Sequence, residues 1–246
     1  MLADIQTTEP TTVSMLLEGP EADSAIMKVV LFVEKHLPQF SARYASSNIK
    51  NENGLNQKLC ILLNYYARIE CCFFIFEKEC MEEVERSNSP RVDFGVLVLP
   101  VNSEFYNTQE SFFAMEAKRL GQTEKVREKE YLIGREKDGK YKHCGGVERF
   151  KQSIHGKNLK YSAMIGYVQT FDFQYWQTTI NGWIDDLITG KISSRSSWQE
   201  KDKLQSLNQT ILTAKLRSEN SRPKGGIILF HLWVKLSNTK EAKEVE

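Results

Sequence analysis

Nowhere in the 246 residues do apolar side chains run together for the roughly 18 positions a membrane-spanning helix needs. The opening segment, MLADIQTTEP, lacks the basic start and apolar stretch of a secretory signal, so a cytoplasmic protein is expected. There is no internal repeat and no Gly-x-Ser-x-Gly elbow. Gly145-Gly146 is not followed by Gly-Lys-Ser/Thr, which excludes a P-loop. Cysteines number five, an odd count, with no Cys-x-x-Cys pair. His143-Cys144 and the cysteines between Cys60 and Cys80 therefore fit no zinc spacing, and buried, reduced thiols are expected. What is present is ordinary for a chain with a real core: 41% hydrophobic and 26% charged residues. That composition excludes a disordered chain, a collagen-like chain and a disulfide miniprotein.

The net charge of +1 hides an uneven distribution. Residues 1–117 hold 9 Lys and Arg against 17 Asp and Glu, a net −8. Residues 118–160 hold 13 against 6, a net +7, and residues 161–246 hold 11 against 9, a net +2. An acidic half can hold a hard cation, and a basic block can hold phosphates; solvated loops are the plainer alternative.

Residues 1–20 read as a flexible arm and residues 21–246 as a single domain. Ile26, Val29, Val30, Val33 and Leu37 recur at helical spacing, with Pro38 expected to end the run. Asn51 or Asn53 can cap a second helix, whose stripe is Leu55, Leu59, Leu62, Leu63 and Tyr66. Strands are expected over 71–76, 91–99, 111–120, 161–169 and 226–236. Residues 121–144 read as a charged loop, 147–154 as a short helix and 174–188 as an amphipathic helix. Trp176 and Trp183 fall on the apolar face of that helix and are assigned to packing, and His231 to a strand face. Residues 190–225 are ambiguous. The order predicts an α/β fold, a mixed β-sheet flanked by helices.

Three acid-x-Lys triplets occur, about the number chance supplies. Only Glu116-Ala117-Lys118 ends an apolar strand, FFAMEAK. Alternation puts Phe112, Ala114, Glu116 and Lys118 on one face. The preceding strand, RVDFGVLVL, carries one acid, Asp93, which is costly among apolar neighbours unless paired or holding a metal. Consecutive strands pair as a hairpin, which brings Asp93 beside Glu116 and Lys118.

Pro90-Arg91-Val92-Asp93 followed by Glu116-Ala117-Lys118, within a helix–strand–strand–strand–helix–strand order, resembles the PD-(D/E)xK nuclease superfamily, the restriction-endonuclease-like fold. The resemblance covers a core of about residues 50–170, leaving 171–246 as a C-terminal elaboration. It departs from the pattern in Pro90, which stands three residues before Asp93. It implies a phosphodiesterase using Mg²⁺ or Mn²⁺. Asp93, Glu116 and the Ala117 carbonyl would hold the metal, Lys118 would act on the water and the developing charge, and Glu52 would match the first-helix acid. The alternative for Glu52 is a first-turn acid on the helix dipole, and for the other three a structural ion-pair cluster. Arg119, Arg149, Lys151, Gln152 and His155 are candidates for phosphate contact, with a solvated helix face as the alternative, and Gln169 is a possible additional site residue. The expected substrate is DNA, in an effector of a bacterial anti-phage or restriction system, with a regulatory or sensor protein and a homodimer as possible partners. A non-catalytic interaction subunit and an RNA-directed nuclease are the rivals.

Overall fold

The computed structural model describes residues 20–47, 49, 51–82, 89–99, 110–121, 125–223 and 225–236. The expected arm lies outside these residues except for Pro20, which opens the first helix. A seven-stranded mixed sheet with order β1-β2-β3-β6-β9-β8-β7 forms the middle layer. Its strands are β1 Phe74–Met81, β2 Arg91–Val98, β3 Phe113–Leu120, β6 Tyr161–Val168, β7 Gln205–Gln209, β8 Thr213–Ser221 and β9 Gly226–Lys235. The β3–β6 and β6–β9 ladders are parallel and the others antiparallel. The C-terminal elaboration is therefore not peripheral, because β9 pairs with β6 along its whole length.

Helices α1 (Pro20–Tyr44) and α2 (Glu52–Ile69) cover one face. Val29, Val33, Leu37, Leu55, Leu59 and Leu63 pack there on Met115, Ala117, Ile165, Tyr167 and Leu232. Asn51 caps α2 by accepting from the Gly54 N–H at 2.7 Å. Helix α1 does not stop at Pro38 as expected. The apolar spacing runs on to Phe40, which is buried with its ring 5.9 Å from Tyr167. One turn further, Ser41 donates to the Lys235 carbonyl at 2.6 Å. Packing beyond the proline outweighs the one helix hydrogen bond it removes.

The short helix α3 (Lys125–Glu128) leads into Tyr131, Leu132 and Ile133, which cover the other face together with α4 (Gly146–Lys151), α5 (Phe173–Ile188) and the segment to Leu204. Trp176, Ile180, Ile184 and Trp198 pack there on Ala114, Met164, Val168 and Trp233. Four polar side chains of this layer form one hydrogen-bonded chain. Trp233 Nε1 donates to the Tyr131 hydroxyl at 2.8 Å, Tyr131 bonds His231 Nδ1 at 2.7 Å, and His231 Nε2 bonds the Ser218 hydroxyl at 2.8 Å. His231 is thus a buried core histidine, neutral because burial pulls its pKa down to about 3.

Residues 135–142, expected as loop, form a hairpin of β4 (Arg135–Lys137) and β5 (Lys140–Lys142) around the Asp138-Gly139 turn. The ambiguous segment supplies β7 and β8. Strand β1 begins at Phe74, later than expected, which leaves Cys71 and Cys72 in the turn after α2. All five cysteines are free, but only Cys60 and Cys80 are buried; Cys71 is exposed. Among the described residues no helix is long and apolar enough to cross a membrane.

Candidate active site

Strand β3 crosses the middle of the sheet with its even-numbered residues on the α4–α5 face. Phe94 pairs with Met115 and Gly95 with Ala114, and the same register carries Asp93 opposite Glu116. The expected hairpin juxtaposition is therefore present. On its other side, the β1–β2 ladder is interrupted between Lys78↔Phe94 and Cys80↔Val92. Glu79 lies in that gap with a left-handed φ of 55°. A local kink thus sits directly beside Asp93.

Asp93 Oδ2 accepts from the Ala117 N–H at 2.7 Å, which ties the two strands together at the acid pair. The Glu116 side chain is 2% exposed. Its Oε1 takes the Lys118 ammonium and Arg149 Nη1, each at 3.0 Å. Its Oε2 is buried with no hydrogen-bond partner, and His155 Nε2 stands 3.5 Å away. Lys118 also reaches Glu52 Oε1 at 3.2 Å, and the Arg119 N–H donates to Glu52 Oε2 at 3.3 Å. Glu52 thus points from the first turn of α2 to the end of β3, joining the cluster that the sequence expectation drew. Gln169 accepts from Arg119 Nε at 2.5 Å, and its own N–H donates to the Leu120 carbonyl.

The charges set one another. Burial, and then the neighbouring Glu116 charge, push the Asp93 carboxyl up. Burial also pushes Glu116 up, but Lys118, His155 and Arg149 together outweigh it and hold that carboxyl well down. Burial disfavours the Lys118 ammonium, yet Glu116, Glu52 and Asp93 more than restore it and leave its pKa raised.

Two expected phosphate contacts are placed elsewhere. Lys151 is buried in an ion pair with Asp202 at 2.6 Å, its ammonium 4.8 Å from the Trp198 ring centre. His155 is fully buried, with Nδ1 2.7 Å from Glu82 Oε2 while Gly156 N–H donates to Glu82 Oε1. Neither side chain is presented to a ligand, because distant carboxylates draw both inward. Gln152 bonds His143 at 3.0 Å. Arg149 stays partly exposed and reaches Glu116. Sequence reasoning missed Glu82, which sits in the acidic run MEEVE with no signal to separate it from its neighbours.

The donor set suits a hard divalent cation: carboxylate oxygens of Asp93, Glu116 and Glu52, and the Ala117 carbonyl. Glu116 Oε2 is an orphaned buried acceptor, and Asp93 is raised first by burial and then by the Glu116 charge, both of which a bound cation would offset. Among the described residues no three His, Cys, Asp or Glu side chains already converge as a metal-binding group. Here the Lys118 ammonium stands between Glu52 and Glu116, so a cation would share these oxygens with a lysine. No protein-family model, no curated protein and no solved structure matches the chain.

Proposed function

We propose that the chain is a divalent-metal-dependent nuclease that hydrolyses DNA phosphodiester bonds. One observation carries the reading. Asp93 and Glu116 stand opposite each other on antiparallel strands, while Lys118 and Glu52 meet at the end of β3. The order α2, β1, β2, β3, α4, β6 supports assigning the core to the restriction-endonuclease-like fold and the PD-(D/E)xK superfamily.

In this reading Asp93, Glu116, Glu52 and the Ala117 carbonyl hold Mg²⁺ or Mn²⁺. The ion supplies Lewis-acid polarisation of a phosphoryl oxygen and acidifies water. Lys118 holds a positive charge at the reacting centre, where negative charge develops on the phosphoryl oxygens. Arg149 steadies Glu116 at Oε1, the oxygen that Lys118 also meets. Arg119 is positioned by Gln169 to meet the backbone of the bound strand.

The basic hairpin joins this surface through one helical turn. Glu148, beside Arg149, accepts from the Gly134 N–H at 2.9 Å and from the Tyr141 hydroxyl. The same side chain takes the Ser194 hydroxyl at 2.6 Å and the Arg195 N–H at 2.9 Å. The exposed lysines of β4 and β5 are thereby fixed on the element that contacts Glu116. They form the phosphate-tracking face in this reading.

The proposal extends to a place as the nuclease effector of a bacterial anti-phage or restriction system. Such a protein would act in the cytoplasm and be released by a regulatory or sensor partner. Cutting both strands calls for a second active site, which a homodimer provides. Cleavage of supercoiled and linear DNA with Mg²⁺ or Mn²⁺ tests the reading. Asp93→Ala should abolish it, and full activity in that variant would overturn the assignment. A ribose substrate cut faster than its deoxy counterpart would redirect the activity to RNA. A second reading, a non-catalytic interaction subunit of the same fold, draws on the lysine that bridges Glu52 and Glu116. It predicts no Mn²⁺ binding by calorimetry.

A further inference from the structure

The chain between β6 and α5 reads Gln169-Thr170-Phe171-Asp172 and is pinned at several points. Asp172 caps α5 by accepting from the Tyr175 N–H at 2.7 Å. The Thr170 carbonyl accepts from Trp176 Nε1 at 2.7 Å. A Cβ on Gly121 would fall 2.1 Å from Thr170 Oγ1, so this turn lies directly against the end of β3. Within this fixed frame Phe171 adopts a left-handed φ of 59°, a strained backbone for an aromatic residue. Phe171 is 60% exposed, and its ring stacks on that of Tyr175, a residue 43% exposed, with centroids 4.1 Å apart and planes 25° apart.

A residue in this place has an ordinary use. Phe171 precedes the cap, and Trp176 lies one turn into the helix, the arrangement of a hydrophobic staple. That contact is loose, at 6.3 Å between centroids. It accounts for an apolar residue at 171 but not for a paired aromatic surface facing solvent. Phe173, two residues on, is 4% exposed, so the same segment buries an aromatic ring where packing calls for one.

The position gives the pair a use. Phe171 lies two residues from Gln169, within about 7.6 Å along the chain. Gln169 holds the Arg119 guanidinium at 2.5 Å, and Arg119 is next to Lys118. The aromatic pair thus lies at the edge of the sheet where β3 and β6 end side by side, the edge at which Lys118 and Arg119 also sit. Aromatic faces beside a cationic backbone track are how proteins hold unpaired nucleotides without reading their sequence. We propose that Phe171 and Tyr175 form a stacking platform for an unpaired nucleobase of the strand bound at the candidate site. This rests on the nuclease reading and names its substrate more narrowly, as a strand with at least one unstacked base.

The test is binding of labelled single-stranded and blunt duplex DNA oligonucleotides by fluorescence anisotropy, with the full chain in EDTA so that nothing is cut. Phe171→Leu keeps an apolar staple and removes the aromatic face. Phe171→Trp keeps the face, and Tyr175→Leu removes its support. Phe171→Leu should weaken single-strand binding at least about fivefold, with little change for duplex. Phe171→Trp should retain the wild-type affinity, and the circular dichroism melts of all three should match the wild type. Unchanged single-strand affinity in Phe171→Leu and Tyr175→Leu overturns the platform, as does an equal loss on duplex or a wild type that binds no single strand. Cleavage with Mn²⁺ is scored in parallel. A wild type that cuts DNA while Phe171→Leu binds normally leaves the nuclease standing and the platform refuted. Weakened binding in a protein that never cuts supports the platform and rejects the catalysis.

Discussion

Glu116 is the side chain around which the buried charges balance. Lys118 and Arg149 meet its Oε1 at 3.0 Å each, and His155 stands 3.5 Å from Oε2. Glu116→Gln keeps the volume but leaves three cationic or ionisable partners facing a neutral amide. Removing one partner from a buried ion pair costs about 3–5 kcal/mol. A clearly lowered midpoint in urea unfolding is therefore expected, together with loss of cleavage. A midpoint matching the wild type would show that the cluster carries little structural weight. His231 gives a pH prediction. Its pKa falls from about 6.5 unfolded to about 3 folded, so the unfolded chain binds the extra proton between those values. Stability is then flat with pH above 6.5 and declines as pH falls toward 3. The decline amounts to about 2 kcal/mol by pH 5. Comparing urea midpoints at pH 7.5 and 5 should show a smaller acid loss in His231→Gln than in wild type. Equal slopes would mean that His231 is not held neutral. At this scale the sequence disclosed Asp93, Glu116 and Lys118, because strand alternation and a hairpin are enough to place them. It could not disclose that His155 and Lys151 are buried. Their partners, Glu82 and Asp202, lie 73 and 51 residues away, and no local pattern links them.

Strand β6 passes β9 with Gly166 beside Trp233, and a Cβ on that glycine would sit 2.3 Å from the indole Cδ1. Gly166→Ala must displace a fully buried tryptophan and strain its bond to Tyr131. A loss of about 1–3 kcal/mol is expected from thermal unfolding. A neutral result would mean that the β6–β9 contact relaxes freely. The β4–β5 hairpin depends on one carboxylate. Glu148→Ala strands the Gly134 and Arg195 N–H groups and two hydroxyls, so protection from hydrogen exchange should fall over residues 134–143 while the central strands keep theirs. Unaltered exchange there would break the proposed link between hairpin and site. The elements hardest to anticipate share one property. Strand β7 is exposed at every position, and β4 and β5 are three residues long and charged. Alternation between buried and exposed faces is the signal a strand leaves in sequence, and these strands have almost none. Pro38 misled for the opposite reason, since a strong local stop signal was overridden by the burial of Phe40.

Across the whole molecule, the acidic N-terminal half supplies Glu52, Asp93 and Glu116, and the basic block that follows begins at Lys118. The fold brings the boundary between these two charge regions to one place, the end of β3. Coulombic steering of a polyanion toward the basic block predicts salt-sensitive DNA binding. Lys137→Ala with Lys140→Ala should flatten the dependence of log K on log salt by about two contacts' worth. An unchanged slope would remove the hairpin from the binding face without touching the carboxylate site. The mixed α/β layering was legible because the strong strands and the amphipathic helices carry clear periods. Membership of β7–β9 in the same sheet was not, since it depends on long-range pairing. The most direct test of the catalytic claim is Lys118→Met, with plasmid cleavage and calorimetric Mn²⁺ binding measured on the same protein. The account predicts that Mn²⁺ still binds, relieved of competition from the ammonium for Glu52 and Glu116, while cleavage falls at least a hundredfold. Cleavage at the wild-type rate would contradict it and leave Lys118 as a structural counter-ion.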